Sequence, residues 1–393
     1  MIGQPGPATL YEEIAQRLRR HIASGRYASG KLPSHRELCR SYQASLPTIK
    51  SAIGLLEKEK LVVSRPRSGV YVTDSGVRRA RSAGLVRCIN MFLPSHFEEI
   101  EHPYWTVRES YLLGANHAAH DAGVQLRIDH IRDGRPVIDY VEGGHSATGN
   151  VLSPAYRPWE QACLFVACDC PDVFRSLHES GVPFVIETHV PQRRPYPYPN
   201  QCRTWVDKAD GTARAVDHLA ALGHSRIGYV GRGYCEDADS WLHEQAPHDG
   251  FIEGMRRNDL PVVPERVKQL IGWVTPARVE PEVKALMALA ELPTAIVTGG
   301  DMTAIHCIGL ARERGLRVPE DLSVVGMNDQ PEAARSDPPL TTMRTPNYEV
   351  TRAAIRVLTA PGREPWREPL ELVHKCELVL RATTAPPGPA VSW

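Results

Sequence analysis

The chain lacks a net charge: 46 Lys and Arg balance 46 Asp and Glu over 393 residues. That balance excludes a uniformly basic or uniformly acidic protein. It also lacks any apolar run of about 18 residues, so no membrane helix is expected. The first basic residue is Arg17 and no apolar stretch follows Met1, so no secretory leader is expected. The nine Cys are scattered, odd in number and mostly set in apolar segments, which excludes a disulfide framework. Reduced, buried thiols in a cytoplasmic protein are the expectation. There is no P-loop and no nucleophile elbow. What is present is 42% apolar and 23% charged sequence, a soluble globular composition long enough for two or three cores.

The zero net charge hides an asymmetry. Residues 1–84 carry 15 basic and 6 acidic side chains, a surplus of nine positive charges, and the remainder carries the opposite surplus. A basic head on an acidic body is the distribution of a DNA-binding module joined to a second domain.

The head has strong local signals. Thr9 can cap a helix whose Leu10, Ile14, Leu18 and Ile22 form one apolar stripe. Ser34 and Glu37 have capping-box spacing before a second helix. Ser45 can cap a third, and Pro47 is tolerated in its first turn. Ile49, Ile53 and Leu56 line the buried face of that third helix, which leaves Thr48, Lys50 and Ser51 outward. Two short strands, 61–65 and 70–72, read as a wing with Arg65, Arg67, Ser68 and Gly69 at its tip. Gly69 permits a tight turn, and the arginines can reach phosphate or the minor groove. The order predicts a winged helix-turn-helix whose third helix enters the major groove. The alternative of a protein-binding winged helix fits the positive surplus poorly.

These residues resemble the GntR family of bacterial regulators over about 9–73, through Leu32-Pro33-Ser34-His35-Arg36-Glu37-Leu38 and Ser68-Gly69-Val70-Tyr71-Val72. The resemblance implies that Arg36 reaches a base or phosphate and that Ser45, Thr48 and Lys50 contact DNA. Leu46-Pro47 departs from the family's usual Arg-Thr, so an arginine that often reads guanine is missing.

From residue 86 onward short apolar strands alternate with amphipathic helices. Strands are predicted over 88–92, 164–167, 184–186, 227–230, 267–271, 295–297 and 323–325. Helices are predicted over 104–122, 173–180, 208–222, 249–258, 279–290 and 302–314. Such alternation implies parallel sheets with helices on both faces, in two lobes with a ligand cleft at the strand C-termini. The predicted domains are 1–74 for the winged head, 75–86 for a linker, 87–382 for the two-lobed body and 383–393 for a disordered tail. The linker's arginines, Arg78, Arg79 and Arg81, read as a solvated tether or as further contacts to the DNA backbone.

Four stretches of the body resemble the LacI-type sensor domain: 219–231, Pro293-Thr294-Ala295-Ile296 with Asp301, 315–326 and 338–344. The resemblance spans about 86–382 and implies an α/β, periplasmic-binding-protein-like fold hinged between two lobes. GntR head plus LacI-type body is similar to regulators of arabinose use. The family's stacking aromatics correspond to Tyr104, Trp105 and Trp273, which suit the apolar faces of sugar rings. Its polar clamps are largely replaced: Pro247 stands where an Arg is usual, Gly300-Asp301 for Asn-Asp, and Asn328-Asp329 for Asp-Asp. Candidate clamps are therefore Asp169, His248, Asp301 and Asn328, which implies either a different ligand or a different grip.

Other constellations carry less. Cys168-Asp169-Cys170 lacks a second pair at zinc spacing. His117 and His120 share one helix as a packed or solvated pair. His243-Glu244 lacks the second histidine of a zincin. Gly231-Arg232-Gly233 lacks the third glycine of a dinucleotide site. No metal and no cofactor is implied. The sequence therefore predicts a non-enzymatic transcriptional regulator, a repressor, and the family resemblance implies that it is a homodimer. Its partners are a palindromic double-stranded DNA operator and a small-molecule effector, a sugar or related metabolite. A ligand-blind architectural DNA binder and a DNA-localised enzyme are the rival readings.

Overall fold

The computed structural model describes residues 9–23, 27, 30–66, 68–73, 86–94, 105–132, 135–136, 152–153, 155–156, 160–168, 170–180, 182–188, 202–232, 246–270, 275–360 and 370–388. In the head, helix α1 (Leu10–Ala23) lays Ile14, Leu18 and Ile22 onto α3 (Leu46–Lys58), which contributes Ile49, Ala52, Ile53 and Leu56. Between them α2 (His35–Tyr42) adds Leu38. Its capping box is formed: Glu37 N–H donates to Ser34 Oγ at 3.3 Å, and Ser34 N–H donates to Glu37 Oε2 at 2.7 Å. Ser45 caps α3 by accepting from Thr48 N–H at 3.3 Å. Arg19 of α1 forks onto Glu59 just beyond α3, with Nε to Oε2 at 2.8 Å, and locks the two helices together. Strands β1 (Val62–Arg65) and β2 (Gly69–Val72) pair antiparallel with Arg65 opposite Gly69. Ser64 N–H donates to Glu57 Oε1 at 2.9 Å, which fastens this ribbon to α3.

The body holds two sheets. The first contains β3 (Cys88–Pro94), β4 (Gln125–Arg132), β5 (Arg135–Pro136), β6 (Gln161–Val166), β7 (Phe184–Thr188), β8 (Cys202–Asp207) and β14 (Glu371–Lys375). Their order is β14-β8-β7-β6-β3-β4-β5, and all neighbours are parallel except β4 and β5. Helices α4 (Trp105–Asp121) and α5 (Pro171–Ser180) follow β3 and β6. The second sheet runs β10 (Val267–Leu270), β9 (Ile227–Arg232), β11 (Ala295–Thr298), β12 (Ser323–Asn328), β13 (Thr341–Arg344) and β15 (Glu377–Val379). Only the β13–β15 pair is antiparallel there. Fully buried strands such as β3, β6 and β11 read as continuous apolar runs because helices cover parallel sheets on both faces.

The chain passes between the two sheets three times. After β8 it enters α6 (Lys208–Ala221), which packs on α7 (Ala246–Arg257). The approach is so close that a Cβ at Gly250 would collide with the Ala209 carbonyl. After β13 it returns through α11 (Asn347–Thr359), which packs on α4. The third passage is Cys376, between β14 and β15. Lys375 Nζ meets Asp207 Oδ2 at 2.9 Å, and Arg214 Nη1 donates to the Cys376 carbonyl at 2.8 Å, so two of the three crossings are tied together. Burial pushes the Cys376 thiol up to about 12. The remaining helices, α8 (Pro276–Leu286), α9 (Asp301–Glu313) and the short α10 (Pro331–Arg335), belong to the second lobe.

Two features depart from the sequence reading. Strands β4, β8, β13, β14 and β15 and helix α11 were not among the predicted elements. The tail expected to be disordered from 383 is ordered through 388. Thr383 is wholly buried; its Oγ1 donates to Val324 O at 2.7 Å and accepts from Thr341 N–H at 2.9 Å. His224 Nε2 lies 2.8 Å from the Ala385 carbonyl. These bonds satisfy backbone groups of β12 and β13 that would otherwise be buried without partners. Of the linker, 75–85 lies outside the described residues, as do 389–393 of the tail.

Candidate nucleic-acid interface and effector site

The outward surface of the head collects most of its predicted DNA contacts. Arg36 is exposed in the first turn of α2, and Ser45 and Lys50 are exposed on and before α3. Thr48 is half-buried, with its Oγ1 2.7 Å from Ser45 Oγ. No acidic residue occupies the first turn of α3, so the positive end of its dipole is not neutralised from within. Arg67 lies outside the described residues.

The wing adds two residues that sequence reasoning passed over. The Tyr71 ring carries the Arg65 guanidinium 4.7 Å from its centroid and Lys31 Nζ at 5.6 Å. Its hydroxyl is 2.7 Å from Ser68 Oγ, and that bond, with the two cations, lowers the phenol's pKa. Gly69 has φ +116, and a Cβ there would press on Lys31 Cε at 2.8 Å. The glycine thus serves both the turn and the seating of Lys31. The sequence signal was available: Lys31 opens the Leu-Pro-Ser run, and β-pairing brings it to Tyr71.

The body's predicted ligand residues are only partly described. Tyr104, Asp169 and Trp273 lie outside the described residues, and Trp105 is described only as the first residue of α4. His248 sits on α7 beside the sheet: its ring meets Tyr229 edge-on at 5.8 Å, and its Nε2 is 2.7 Å from the Gln269 side-chain amide. Asn328 ends β12 with φ 106, and Asp329 follows with φ 56. Two successive non-glycine residues in that region constitute backbone strain. Asp329 is anchored by Arg344 Nε at 2.7 Å and Arg381 Nη2 at 2.6 Å, which hold Asn328 in place. Asp301 is separated from these groups in role. It is fully buried, with Oδ1 accepting from Thr342 at 2.5 Å and Oδ2 from Gln330 N–H at 2.6 Å. Burial raises its pKa to about 7 despite those bonds. Both oxygens are thus spent on bracing β13 and the turn after β12. Glu187, at the end of β7, was passed over: it is buried and accepts from Tyr111 Oη at 3.3 Å and Ala167 N–H at 3.1 Å.

Among the described residues no group of three or more His, Cys, Asp or Glu could hold a metal ion. Cys168 is buried and donates to the Val166 carbonyl at 3.1 Å, and His117 pairs with Tyr348 at 2.9 Å across α4 and α11. Among the described residues no helix is long and apolar enough to cross a membrane.

The architecture is a basic winged-helix head ahead of two α/β lobes linked by three crossings, the arrangement of a binding-protein fold carrying a helix-turn-helix. Residues 10–72 match the bacterial regulatory proteins of the gntR family, and 216–384 match the periplasmic binding protein-like domain. The two matches fall on the winged head and on the second part of the body, and together they agree with the architecture described above. It is 33% identical over 215 residues to an HTH-type transcriptional regulator in the aml 5' region of Streptomyces limosus, covering 55% of this chain and 58% of that one. The chain thus spans a little over half the length of that relative. It is 23% identical over 390 residues to the arabinose metabolism transcriptional repressor of Geobacillus stearothermophilus, covering 95% of this chain and 97% of that one. Among solved structures, the transcriptional regulator CelR in complex with cellobiose matches at TM-score 0.60 and 20% identity, over 96% of this chain and all of that one.

Proposed function

We propose that the protein is a transcriptional regulator, a repressor, whose operator affinity is set by a small molecule bound between the two lobes. The observation that carries this reading is the coexistence, in one chain, of an outward-facing basic recognition helix and a two-lobed fold with three crossings. The first supplies phosphate and base contacts. The second supplies two lobes whose opening and closing a ligand can bias. Ligand closure would re-space paired heads, by only as much free energy as the ligand discriminates the two states. A homodimer on a palindromic operator follows from that scheme, since two-fold symmetry in protein and site then coincide. The protein would act in the cytoplasm, without catalytic turnover.

The effector class we assign is a sugar or related metabolite. The support is the cellobiose complex of the structural neighbour, the arabinose-metabolism repressor that matches along nearly its full length, and the aromatics Tyr104, Trp105 and Trp273 of this chain. Replacement of the usual charged clamps argues for a ligand grip different from that of relatives. Among the described residues, His248, whose Nε2 meets Gln269, and Asn328 remain the polar candidates, and Asp169 remains one outside them. Asp301 is better placed to brace the lobe.

The test is selection of bound genomic fragments by the purified full-length protein, followed by a thermal-shift screen against sugars and nucleosides. An enriched palindrome, released or tightened by one of those compounds, supports the reading. Binding with no motif and no thermal shift favours a ligand-blind architectural role.

A further inference from the structure

Leu46 is a large apolar side chain at the exposed start of α3, beside the exposed Pro47 and among polar and basic neighbours. It is the first residue of α3 and is 45% exposed, while Ile49, Ala52, Ile53 and Leu56 fill the buried face of the same helix. A lone exposed leucine is ordinary on a protein surface. This one is distinguished by its neighbours. Arg36 and Lys50 are both exposed on the same three-helix head, and the first turn of α3 holds no acidic residue, so the surface suits a polyanion. The hydroxyls next to it, Ser45 and Thr48, are paired with each other at 2.7 Å, and Ser45 Oγ also accepts from the Thr48 N–H in the helix cap.

A second observation points the same way. Gly54, two turns beyond Pro47 on α3, is half-exposed, and a Cβ built there would meet no atom within 4 Å. Packing inside the head therefore does not require glycine, although glycine costs a helix interior about 1 kcal/mol relative to alanine. An outward face bare at Gly54 lets the helix sit deeper against an external surface, bringing its first residue close to base edges.

Leucine has no donor or acceptor, so it cannot distinguish base edges by hydrogen bonding. Among the groups that base pairs display in the major groove, the thymine 5-methyl is the apolar one. We propose that Leu46 is a specificity-determining residue that packs on the 5-methyl of a thymine in each operator half-site. This inference rests on the DNA-binding reading given above.

The experiment uses the full-length protein and an operator obtained by selection. Each thymine is replaced in turn by deoxyuridine, which removes only the methyl, and affinity is measured at fixed salt. One thymine per half-site is expected to lose about three- to fivefold in affinity on replacement, the size of one buried methyl group. Leu46→Ala is expected to bind the thymine and uracil duplexes equally, and Leu46→Arg to shift the selected base at that position toward guanine. An operator with no methyl-sensitive thymine overturns the inference while leaving DNA binding intact. So does a Leu46→Ala protein that keeps the wild-type preference for thymine over uracil. Failure to select any operator overturns the DNA-binding reading and this inference with it.

Discussion

Arg65 lies across the face of Tyr71, its guanidinium carbon 4.7 Å from the ring centroid, with Ser68 holding the phenol at 2.7 Å. The wing's arginine is thereby pre-positioned, and less of its rotamer entropy is lost on meeting a phosphate. Tyr71→Ala is expected to weaken operator binding by about two- to fivefold, the size of an exposed cation–π contact. Fluorescence anisotropy on a labelled operator measures it. Circular dichroism should be unchanged, because the ring is not part of the fully buried core.

Lys50 is exposed on the recognition helix and has no role in the core. Lys50→Ala should lower affinity and reduce the magnitude of the slope of log K against log salt by about 0.9, one phosphate's share. An unchanged slope would remove Lys50 from the contact set.

Gly54→Ala separates folding from binding. Open space around the site predicts a gain of up to about 1 kcal/mol in the head's stability. The same methyl on the outward face should weaken operator affinity. A rise in Tm with unaltered affinity would show that this face stays clear of DNA.

Asp301 gives the second lobe a pH signature. Its pKa is raised in the folded protein to about 7 from 3.8, so the folded state holds the proton more tightly. The stability it contributes is complete below about pH 4 and is lost as pH rises through about 7. Asp301→Asn, which keeps one acceptor oxygen for Gln330 N–H and puts an amide NH2 where Oδ1 accepted from Thr342, should remove this loss. The Tm of the variant minus that of the wild type should therefore climb between pH 5 and pH 8 in calorimetry. A flat difference would contradict the assignment.

His224 acts in the opposite direction. Burial lowers its pKa below 6.5, and its ring bridges Thr294 at 2.9 Å and the Ala385 carbonyl at 2.8 Å. The unfolded chain takes up the proton first, so stability is present above about pH 6.5 and is lost as pH falls below it. His224→Gln should flatten that acid loss, measured as denaturation midpoints between pH 5 and pH 7.

The head was legible almost residue by residue because its signals are local. The Ser34–Glu37 box, the Ser45 cap, the apolar stripe of α1 and Gly69 act within a turn or two of chain, and they appear as expected except that Leu10, the first of the stripe, is exposed while Ile14, Leu18 and Ile22 are buried. The body's buried parallel strands were legible for a related reason: burial on both faces writes them as apolar runs. Strand β14 was not, because its side chains alternate in burial and its pairing partner β8 lies about 168 residues away. Helix α11 was missed although amphipathic, with its buried face set by α4 from the far lobe's sequence.

Residue types and spacing by themselves determined that the chain has a basic winged head and a two-lobed α/β body, since capping, periodicity and charge act over short distances. Tertiary structure alone decided the roles of individual polar groups. Sequence placed Asp301 among ligand clamps; the fold spends both its oxygens on Gln330 and Thr342. Sequence passed over Lys31 as a partner of Tyr71; antiparallel bridging brings them together. It also left Thr383 in a disordered tail, where packing instead makes it the hydrogen-bond partner of two strands. The physical reason is common to all three. A polar side chain's role depends on which donors, acceptors and ring faces the fold brings against it, and for these groups the partners come from 29 to 59 residues away along the chain.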